Sequence, residues 1–207
     1  MNPSHLNPPL GRHTRGYLPH WEIETGIQGI TFHLADSLPA AKIHEWTERL
    51  AHLPEGEATL RMRKLIQDFL DRGHGECLLA KPEIGRMVED ALLYFNEQRY
   101  VLLAWCVMPN HVHSLPKMMK EWRMSSIVHS WRSFTSHEAN RMLRRHGQFW
   151  QEEYHDRYIR DERHLENAVR YIEMNPVKAG LCQEPEDWPF SSAWRRKKGM
   201  LPNVLLR

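Results

Sequence analysis

The sequence has few cysteines, no long apolar run and almost no net charge. Its three cysteines, Cys77, Cys106 and Cys182, are odd in number and widely spaced among 207 residues. This pattern excludes a disulfide framework and a CxxC metal site, and it favours a reducing cytoplasm. No run of about 18 apolar residues is present, and the first residues lack the apolar stretch of a secretory signal, so no membrane segment is predicted. A net charge of +2 does not by itself indicate a nucleic-acid-binding protein.

What is present has the proportions of one globular domain, with 41% apolar and 26% charged residues. Hydrophobic alternation predicts strands, and apolar residues at helical spacing predict helices. The predicted strands cover residues 29–34, 100–107, 111–115 and 156–160, and the predicted helices cover 39–51, 57–70, 81–98, 125–143 and 161–174. This order predicts an α+β ferredoxin-like sandwich, an antiparallel sheet with helices packed on one face.

Three segments are predicted along the chain. Residues 1–27 contain four prolines and little periodicity, which predicts an extended N-terminal arm. Residues 28–183 would form the folded domain, and residues 184–207, with the basic run 195–198, would form a basic C-terminal tail.

Two local expectations concern single residues. Pro116 predicts that its strand is short or lies at a sheet edge, and Phe134 is expected to face inward with Ile127, Trp131 and Ala139.

His111 and His113 are separated by one residue in a predicted strand. Because strand side chains alternate between faces, both imidazoles project from the same face and could share one divalent ion. The spacing alone is weak evidence, since a chain with 14 histidines contains such a pair by chance about once. On spacing alone, a solvated or hydrogen-bonded pair is the favoured interpretation.

The helix predicted over 161–174 carries a second candidate group. An advance of about 100° per residue places four apolar residues on one core stripe. That stripe consists of Leu165, Ala168, Val169 and Ile172. His164, Tyr171 and Asn175 fall on another stripe, so that the Tyr171 hydroxyl and the Asn175 amide, one turn apart, could act on one substrate. A boundary tyrosine and an asparagine that ends the helix before Pro176 are the alternatives.

Other common catalytic patterns are absent from the sequence. There is no GxGxxG or GxxxxGK[ST] phosphate loop, no GxSxG nucleophile turn and no HExxH zinc helix. The sequence therefore predicts no nucleotide cofactor.

Three segments, in this order, resemble the REP-associated tyrosine transposases of the single-tyrosine HUH superfamily. They are residues 107–113 (VMPNHVH), 170–181 (RYIEMNPVKAGL) and 187–193 (DWPFSSA). Residues 15–22 and 149–161 extend the resemblance, which covers most of the chain. Because three linked motifs follow one another in the family's order, the resemblance makes the histidine pair a strong metal-site candidate.

The resemblance implies a ferredoxin-like catalytic domain that cleaves and rejoins single-stranded DNA. In the family's pattern, His111 and His113 would bind a divalent ion, Mg²⁺ or Mn²⁺, and Asn175 would complete the metal site. Tyr171 would be the nucleophile. Attack of its phenolic oxygen on a phosphodiester would form a 5′-phosphotyrosine link and free a 3′-hydroxyl, so rejoining would need no ATP.

The implied partner is single-stranded DNA with REP-type hairpins, bound by a monomer or a homodimer. The candidate DNA contacts are Arg12, Arg15, Arg132, Arg157, Arg160 and Lys178. Two other functions stay open at this point: a catalytically inactive DNA-binding regulator of the same fold, and a phosphodiesterase that uses water as the nucleophile.

Overall fold

The computed structural model describes residues 11–14, 19–22 and 25–201, with side chains from residue 25 onward. Its strands are β1 (Gly11–Thr14), β2 (Pro19–Glu22), β3 (Gln28–His33), β4 (Tyr100–Val107), β5 (His111–Met118) and β6 (His155–Tyr158). Its α-helices are α1 (Ala40–Leu50), α2 (Glu55–Leu70), α3 (Pro82–Leu93), α4 (Met124–Met142), α5 (Glu162–Glu173), α6 (Asn175–Lys178) and α7 (Ser192–Lys197). Short 3-10 turns cover Leu78–Ala80 and Pro185–Asp187.

Four strands form one antiparallel sheet in the order β4-β5-β3-β6. Counting only these four, the first and third strands along the chain pair at the centre, which is the ferredoxin-like arrangement. The predicted α+β class with an antiparallel sheet is therefore confirmed. β1 and β2 form a separate antiparallel hairpin inside the segment predicted as an extended arm. Strands of four residues are too short to show a readable periodicity.

Both faces of the sheet are covered by helices. α3 and α4 pack on the face that carries Phe32, Trp105 and Val112. α5 packs on the opposite face, where Ala104 and Leu115 belong to its apolar cluster. The expectation that helices pack on one face therefore holds for α3 and α4, which precede β4 and β6. It does not hold for α5, which packs on the other face. The continuous apolar run of β4 is the sequence feature that matches a strand buried on both faces.

Pro116 neither shortens β5 nor places it at an edge, so that expectation is wrong. β5 runs to Met118 between β4 and β3. Pro116 pairs with Leu102 at the point where the register shifts before Ala104, and the β3 ladder ends at Ser114. The missing N–H of a proline is tolerated at such an irregularity. β5 therefore stays paired with both neighbouring strands around its histidines.

Phe134 is also misplaced by the sequence pattern, because its side chain is 54% exposed. The buried face of α4 is centred on Val128, Trp131 and Thr135. Phe134 lies about 90° from the centre of that face at 100° per residue. Ile127, Trp131 and Ala139 face inward as expected.

Two further parts complete the packing. α1 and α2 pair through their own apolar cluster, which includes Trp46, Leu50 and Ile66. The segment after Glu184 packs on the sheet: Val107 N–H donates to Phe190 O (3.1 Å), and Trp188 Nε1 donates to Val107 O (3.0 Å). The part of the basic tail that the structure describes is therefore folded, while the predicted domain limits stay a prediction. None of the described helices combines the length and apolar character required to cross a membrane.

Candidate active site

The histidine pair lies at the centre of the sheet, on the face that α5 covers. His111 and His113 are 0% and 2% exposed, and their Nε2 atoms are 3.0 Å apart. The Nδ1 atom of each ring forms a hydrogen bond with a neighbouring side chain. His111 Nδ1 lies 2.7 Å from Asn110 Oδ1, and His113 Nδ1 lies 2.9 Å from Thr31 Oγ1. Anchored Nδ1 atoms leave both Nε2 atoms converging on one point, the geometry of a shared ligand site.

Burial keeps both imidazoles neutral. Loss of solvation lowers the pKa of His113 to about 3, with a further contribution from Lys178. Burial lowers the pKa of His111 well below its usual value, and the neighbouring His113 adds to this effect. Neutral imidazole is the form that coordinates a cation.

Helix α2 contributes two residues that the sequence did not identify. Asp71, at the C-terminal end of α2, has Oδ1 at 3.6 Å from His111 Nε2. Ligand atoms of Asp71, His111 and His113 all lie within 4.8 Å of one another. Gln67 Nε2 donates to Asp71 Oδ1 (2.5 Å) and lies 3.3 Å from His113 Nε2. Burial raises the pKa of Asp71 to about 6, while its hydrogen bond with Gln67 acts in the opposite direction.

Sequence reasoning missed Asp71 because no spacing connects it with a pair of histidines 40 residues later. A glutamine followed by an aspartate four residues on is common at helix ends. Only the packing of α2 against the sheet brings Gln67 and Asp71 next to the two histidines.

Tyr171 lies beside the histidine pair, as the resemblance implied. Its ring is 5.7 Å from the ring of His113, centroid to centroid, and 37% of the residue is exposed. Lys178 Nζ lies 4.7 Å from the Tyr171 ring. Burial and the negative charge of Asp71 raise the pKa of the Tyr171 phenol. The hydroxyl is therefore protonated at neutral pH until another group favours the phenolate.

The position of Tyr171 follows from the way α5 begins and packs. Asp161 Oδ1 accepts a hydrogen bond from His164 N–H (2.7 Å) and caps the helix. Val169 and Ile172 are buried against the sheet, which confirms the predicted core stripe. Tyr171 lies at the border of that stripe and so reaches the cleft.

Asn175 follows one turn after Tyr171, at the start of α6. Its side chain is 0% exposed, and within the described residues neither its Oδ1 nor its Nδ2 has a partner at good hydrogen-bond geometry. The amide is nevertheless close enough to the Tyr171 hydroxyl to lower the pKa of that phenol, against the larger effect of burial. An unsatisfied buried amide costs about 1–3 kcal/mol. Such a group is typical of a position where a ligand supplies the missing contact.

A cleft of about 630 Å³ extends from the histidine pair. Its lining includes Leu60, Arg63, Lys64, Gln67 and Asp68 of α2 and His164, Asn167, Ala168, Tyr171 and Ile172 of α5. Its floor includes residues of β3, β5 and β6: Gly29, Ile30, Thr31, His113, Ser114, His155, Asp156 and Arg157. The cleft has one end at His113 and Tyr171 and is open to solvent.

The structure places some of the predicted DNA contacts at the cleft and others away from it. Arg157 lines the cleft and Lys178 lies against Tyr171. Arg132 is on α4, where its guanidinium donates to Glu152 O (2.9 Å) and Gln151 O, so it holds a loop on the opposite side of the sheet. Arg160 is exposed just before α5 and is not among the residues that line the cleft.

Two of the predicted contacts cannot be placed against the cleft. Arg12 lies in β1, where only the backbone is described, and Arg15 lies outside the described residues.

A further histidine, His33, pairs with His111 in the sheet register and gives a pH prediction. It is fully buried, its Nδ1 lies 2.9 Å from Ser37 Oγ, and burial lowers its pKa to about 4. Between pH 6.5 and 4 the unfolded chain protonates this group and the folded chain does not. The free energy of unfolding should therefore fall as the pH falls, by up to about 3 kcal/mol from this residue.

Urea unfolding at pH 7 and pH 5 tests this prediction with His33→Gln. The loss of stability between the two pH values should be smaller in the variant than in the wild type. His52→Gln, which changes an exposed histidine, should keep the wild-type difference. An equal difference in all three proteins would contradict the prediction.

Part of this chain is similar to known proteins. Residues 83–175, which include the histidine pair, Tyr171 and Asn175, match the family described as "Transposase IS200 like". A putative REP-associated tyrosine transposase of Haemophilus influenzae is 30% identical over 109 residues, 46% of this chain and 60% of that protein. A REP-associated tyrosine transposase of Escherichia coli is 26% identical over 123 residues, 56% of this chain and 70% of that protein. The match to the first relative thus spans less than two thirds of its length.

A solved structure supports the fold. A REP-associated tyrosine transposase, bound in that structure to a REP hairpin, superimposes with a TM-score of 0.58 at 20% sequence identity. The match covers 89% of this chain and 87% of the other. At this identity the likeness confirms the fold alone.

Proposed function

We propose that the protein cleaves and rejoins single-stranded DNA carrying REP-type hairpins, because residues 83–175 match the family described as "Transposase IS200 like". The observation that carries the proposal is the position of Tyr171, whose ring lies 5.7 Å from His113 at the end of an open cleft. A nucleophile, a pair of converging imidazoles and a cationic side chain occur together there. The hairpin partner is inferred from the relatives.

The donor set at this point suits a divalent cation. Two neutral imidazoles, a carboxylate and an amide oxygen are ligands that Mg²⁺, Mn²⁺ and related ions accept. His111 and His113 would hold the ion, with Asp71 or Asn175 as the oxygen ligand. The buried amide of Asn175, which has no partner at good hydrogen-bond geometry in the described residues, and the convergence of the two Nε2 atoms support this fit. Such an ion supplies positive charge that neutralises the phosphate oxygens and favours attack at phosphorus.

The remaining chemistry belongs to the side chains of this protein. The Tyr171 oxygen forms a bond to phosphorus as the bond from phosphorus to the 3′-oxygen breaks, and the protein keeps the 5′-phosphate. The proton lost by the phenol balances the proton gained by the leaving 3′-oxygen. Lys178, 4.7 Å from the ring, favours the phenolate by its charge. Rejoining reverses these steps with a 3′-hydroxyl as nucleophile.

The test of this proposal is a covalent adduct. Labelled hairpin DNA with single-stranded flanks is incubated with the protein and Mg²⁺ or Mn²⁺, then separated on a denaturing gel. We expect a slower protein–DNA band that EDTA abolishes. Binding without an adduct, across several hairpins, would contradict the proposal and favour a regulator that binds DNA without cleaving it.

The ligand set gives a separate prediction that needs no DNA. In calorimetric titration with Mn²⁺, His111→Ala should remove measurable binding, because the converging pair is broken. If Asp71 is the oxygen ligand, Asp71→Asn weakens Mn²⁺ binding about tenfold or more while Asn175→Ala has a smaller effect. The reverse ranking would assign the ligand to Asn175.

Asp68→Asn is the matched control for this titration. Asp68 is an exposed carboxylate on the same helix and lines the cleft. It should change Mn²⁺ affinity little, since an exposed charge is screened by salt. An equal loss in Asp68→Asn and Asp71→Asn would show a general charge effect and contradict direct ligation.

A further inference from the structure

We propose that the groove between α2 and α5 binds the unpaired nucleotides next to the phosphodiester that Tyr171 attacks, and that its α2 wall contributes to the choice of sequence. The α2–α5 groove is the cleft described above, with α2 and α5 as walls and β3, β5 and β6 as floor. The inference rests on the proposed function, since it assigns the path of that DNA.

The two walls are built in the same way. α2 turns Leu60, Arg63, Lys64 and Gln67 into the groove, at positions i, i+3, i+4 and i+7. α5 turns His164, Asn167, Ala168 and Tyr171 into it, again at i, i+3, i+4 and i+7. Residues with this spacing share one helix face. Each helix therefore presents one continuous face of two turns to the groove.

The direction of the groove follows from which residues lie at His113. Gln67 and Tyr171 both lie at His113, 3.3 Å between Gln67 Nε2 and His113 Nε2 and 5.7 Å between the Tyr171 and His113 rings. Leu60 and His164 are each seven residues earlier, about 10 Å further along the helix axes. The groove thus starts at the reacting tyrosine and leads away from it between two helices.

The charge of the groove suits a phosphate backbone. Lys64 is exposed on the α2 wall and Arg157 is exposed on the floor, while Asp68, one turn after Lys64, is an exposed carboxylate beside Gln67. The floor carboxylate of Asp156 is 3% exposed and accepts a hydrogen bond from Gln28 Nε2 (3.1 Å). Cationic side chains along a groove are the usual backbone contacts of single-strand binding proteins.

The same walls carry groups that contact bases. Asn167 is an exposed amide on α5, and Leu60 is an exposed apolar side chain (66%) at the far rim of α2. Amides pair with the edges of unpaired bases, and apolar side chains pack on their faces. The α2 residues precede residues 83–175, so this wall lies outside the segment that the family comparison matches.

The experiment measures binding with cleavage switched off. Tyr171→Phe protein is titrated by fluorescence anisotropy, in EDTA and at several salt concentrations. The probes are one DNA hairpin without flanks and the same hairpin with a randomised single-stranded extension on its 5′ or 3′ side. We expect one extension to increase affinity several-fold over the bare hairpin. Adding Lys64→Ala should remove most of this gain and reduce the salt slope by about 0.7.

Arg61→Ala is the matched control. Arg61 is on the same helix and carries the same charge, but it is exposed away from the groove and pairs with Glu57 (2.6 Å). It should leave the gain from the extension unchanged. Leu60→Ala on α2 should change which extension sequences are retained from the randomised pool, as read by sequencing the bound DNA, without abolishing the gain. Asn167→Ala makes the same test of the α5 wall.

The outcomes separate this inference from the proposed function. The groove inference is overturned if the extension does not increase affinity in the Tyr171→Phe protein, or if Arg61→Ala and Lys64→Ala reduce that increase equally. Either result would count against the groove even if wild-type protein forms the adduct. A gain lost only in Lys64→Ala supports the groove even if no adduct is found, and the failure then concerns the nucleophile.

Discussion

Tyr171→Phe is expected to reduce the covalent protein–DNA adduct by at least about a thousandfold, because the substitution removes only the attacking oxygen. The aromatic ring, 5.7 Å from His113 and 4.7 Å from Lys178 Nζ, keeps its place. Affinity for hairpin DNA should change less than about threefold, since one neutral hydroxyl contributes little to binding. A denaturing gel for the adduct and anisotropy for binding, on the same preparation, measure the two effects.

Tyr94→Phe is the control for this experiment. Tyr94 is 72% exposed and is the residue that follows α3. Removal of its hydroxyl should leave the adduct at the wild-type level. If strand cleavage persists in Tyr171→Phe without an adduct, the nucleophile is water and Tyr171 is structural. That result would restore the phosphodiesterase alternative.

Glu89→Ala is expected to destabilise the fold by about 3–5 kcal/mol, the typical cost of leaving one partner of a buried ion pair uncompensated. The Glu89 side chain is fully buried in α3. Its carboxylate accepts hydrogen bonds from Trp105 Nε1 (3.0 Å), Arg195 Nε (3.1 Å) and Nη2 (2.8 Å), and Arg86 Nη1 (3.1 Å). It therefore joins α3, the sheet and the C-terminal helix α7. Its removal leaves a buried indole N–H and a partly buried guanidinium without an acceptor.

Thermal unfolding would show this loss as a fall of about 10 °C in Tm. Glu138→Ala is the control: Glu138 pairs with Arg141 on the exposed side of α4 (2.8 Å), and surface pairs contribute little. Arg195→Lys, which keeps a positive charge but loses the two-point contact, should lie between the two variants. A Tm for Glu89→Ala within about 2 °C of the wild type would show that the network does not hold α7.

The same network connects α7 with α5, the helix that carries Tyr171. Arg196 forms an ion pair with Glu173, two residues after Tyr171, and donates to Leu103 O (2.7 Å). Ser192 Oγ donates to Glu173 Oε1 (2.6 Å). Arg195 and Arg196 thus make largely buried ion pairs, and Lys197 pairs with Asp187 at the surface (3.4 Å). A charge pattern cannot distinguish such residues from an unpaired basic run.

Local signals in the sequence were sufficient for the strands that build the site. The apolar run 100–107 became β4 with the predicted bounds, and the alternation around Val112 placed both histidines on one face. Helical spacing likewise put Val169 and Ile172 in the core and left Tyr171 at their border. These features depend on residues within one or two turns of each other, and side-chain periodicity is a local property of the backbone.

Other features depended on partners far along the chain. Pro116 breaks a strand in isolation but is accommodated here because β4 shifts register opposite it. Phe134 fits an inward pattern on α4, yet the buried face is centred elsewhere because α3 and the sheet decide which side is covered.

By itself, then, the sequence determined the order of the elements from β3 to α5, the paired imidazoles, the tyrosine and the asparagine one turn beyond it. Only the tertiary structure decided that Asp71 and Gln67 face the histidines, that Arg132 and Arg196 make internal contacts, and that two helix faces enclose a groove. The physical reason is that contacts between elements depend on how those elements dock, and docking is set by the summed burial of many side chains. No spacing within a single element records that sum.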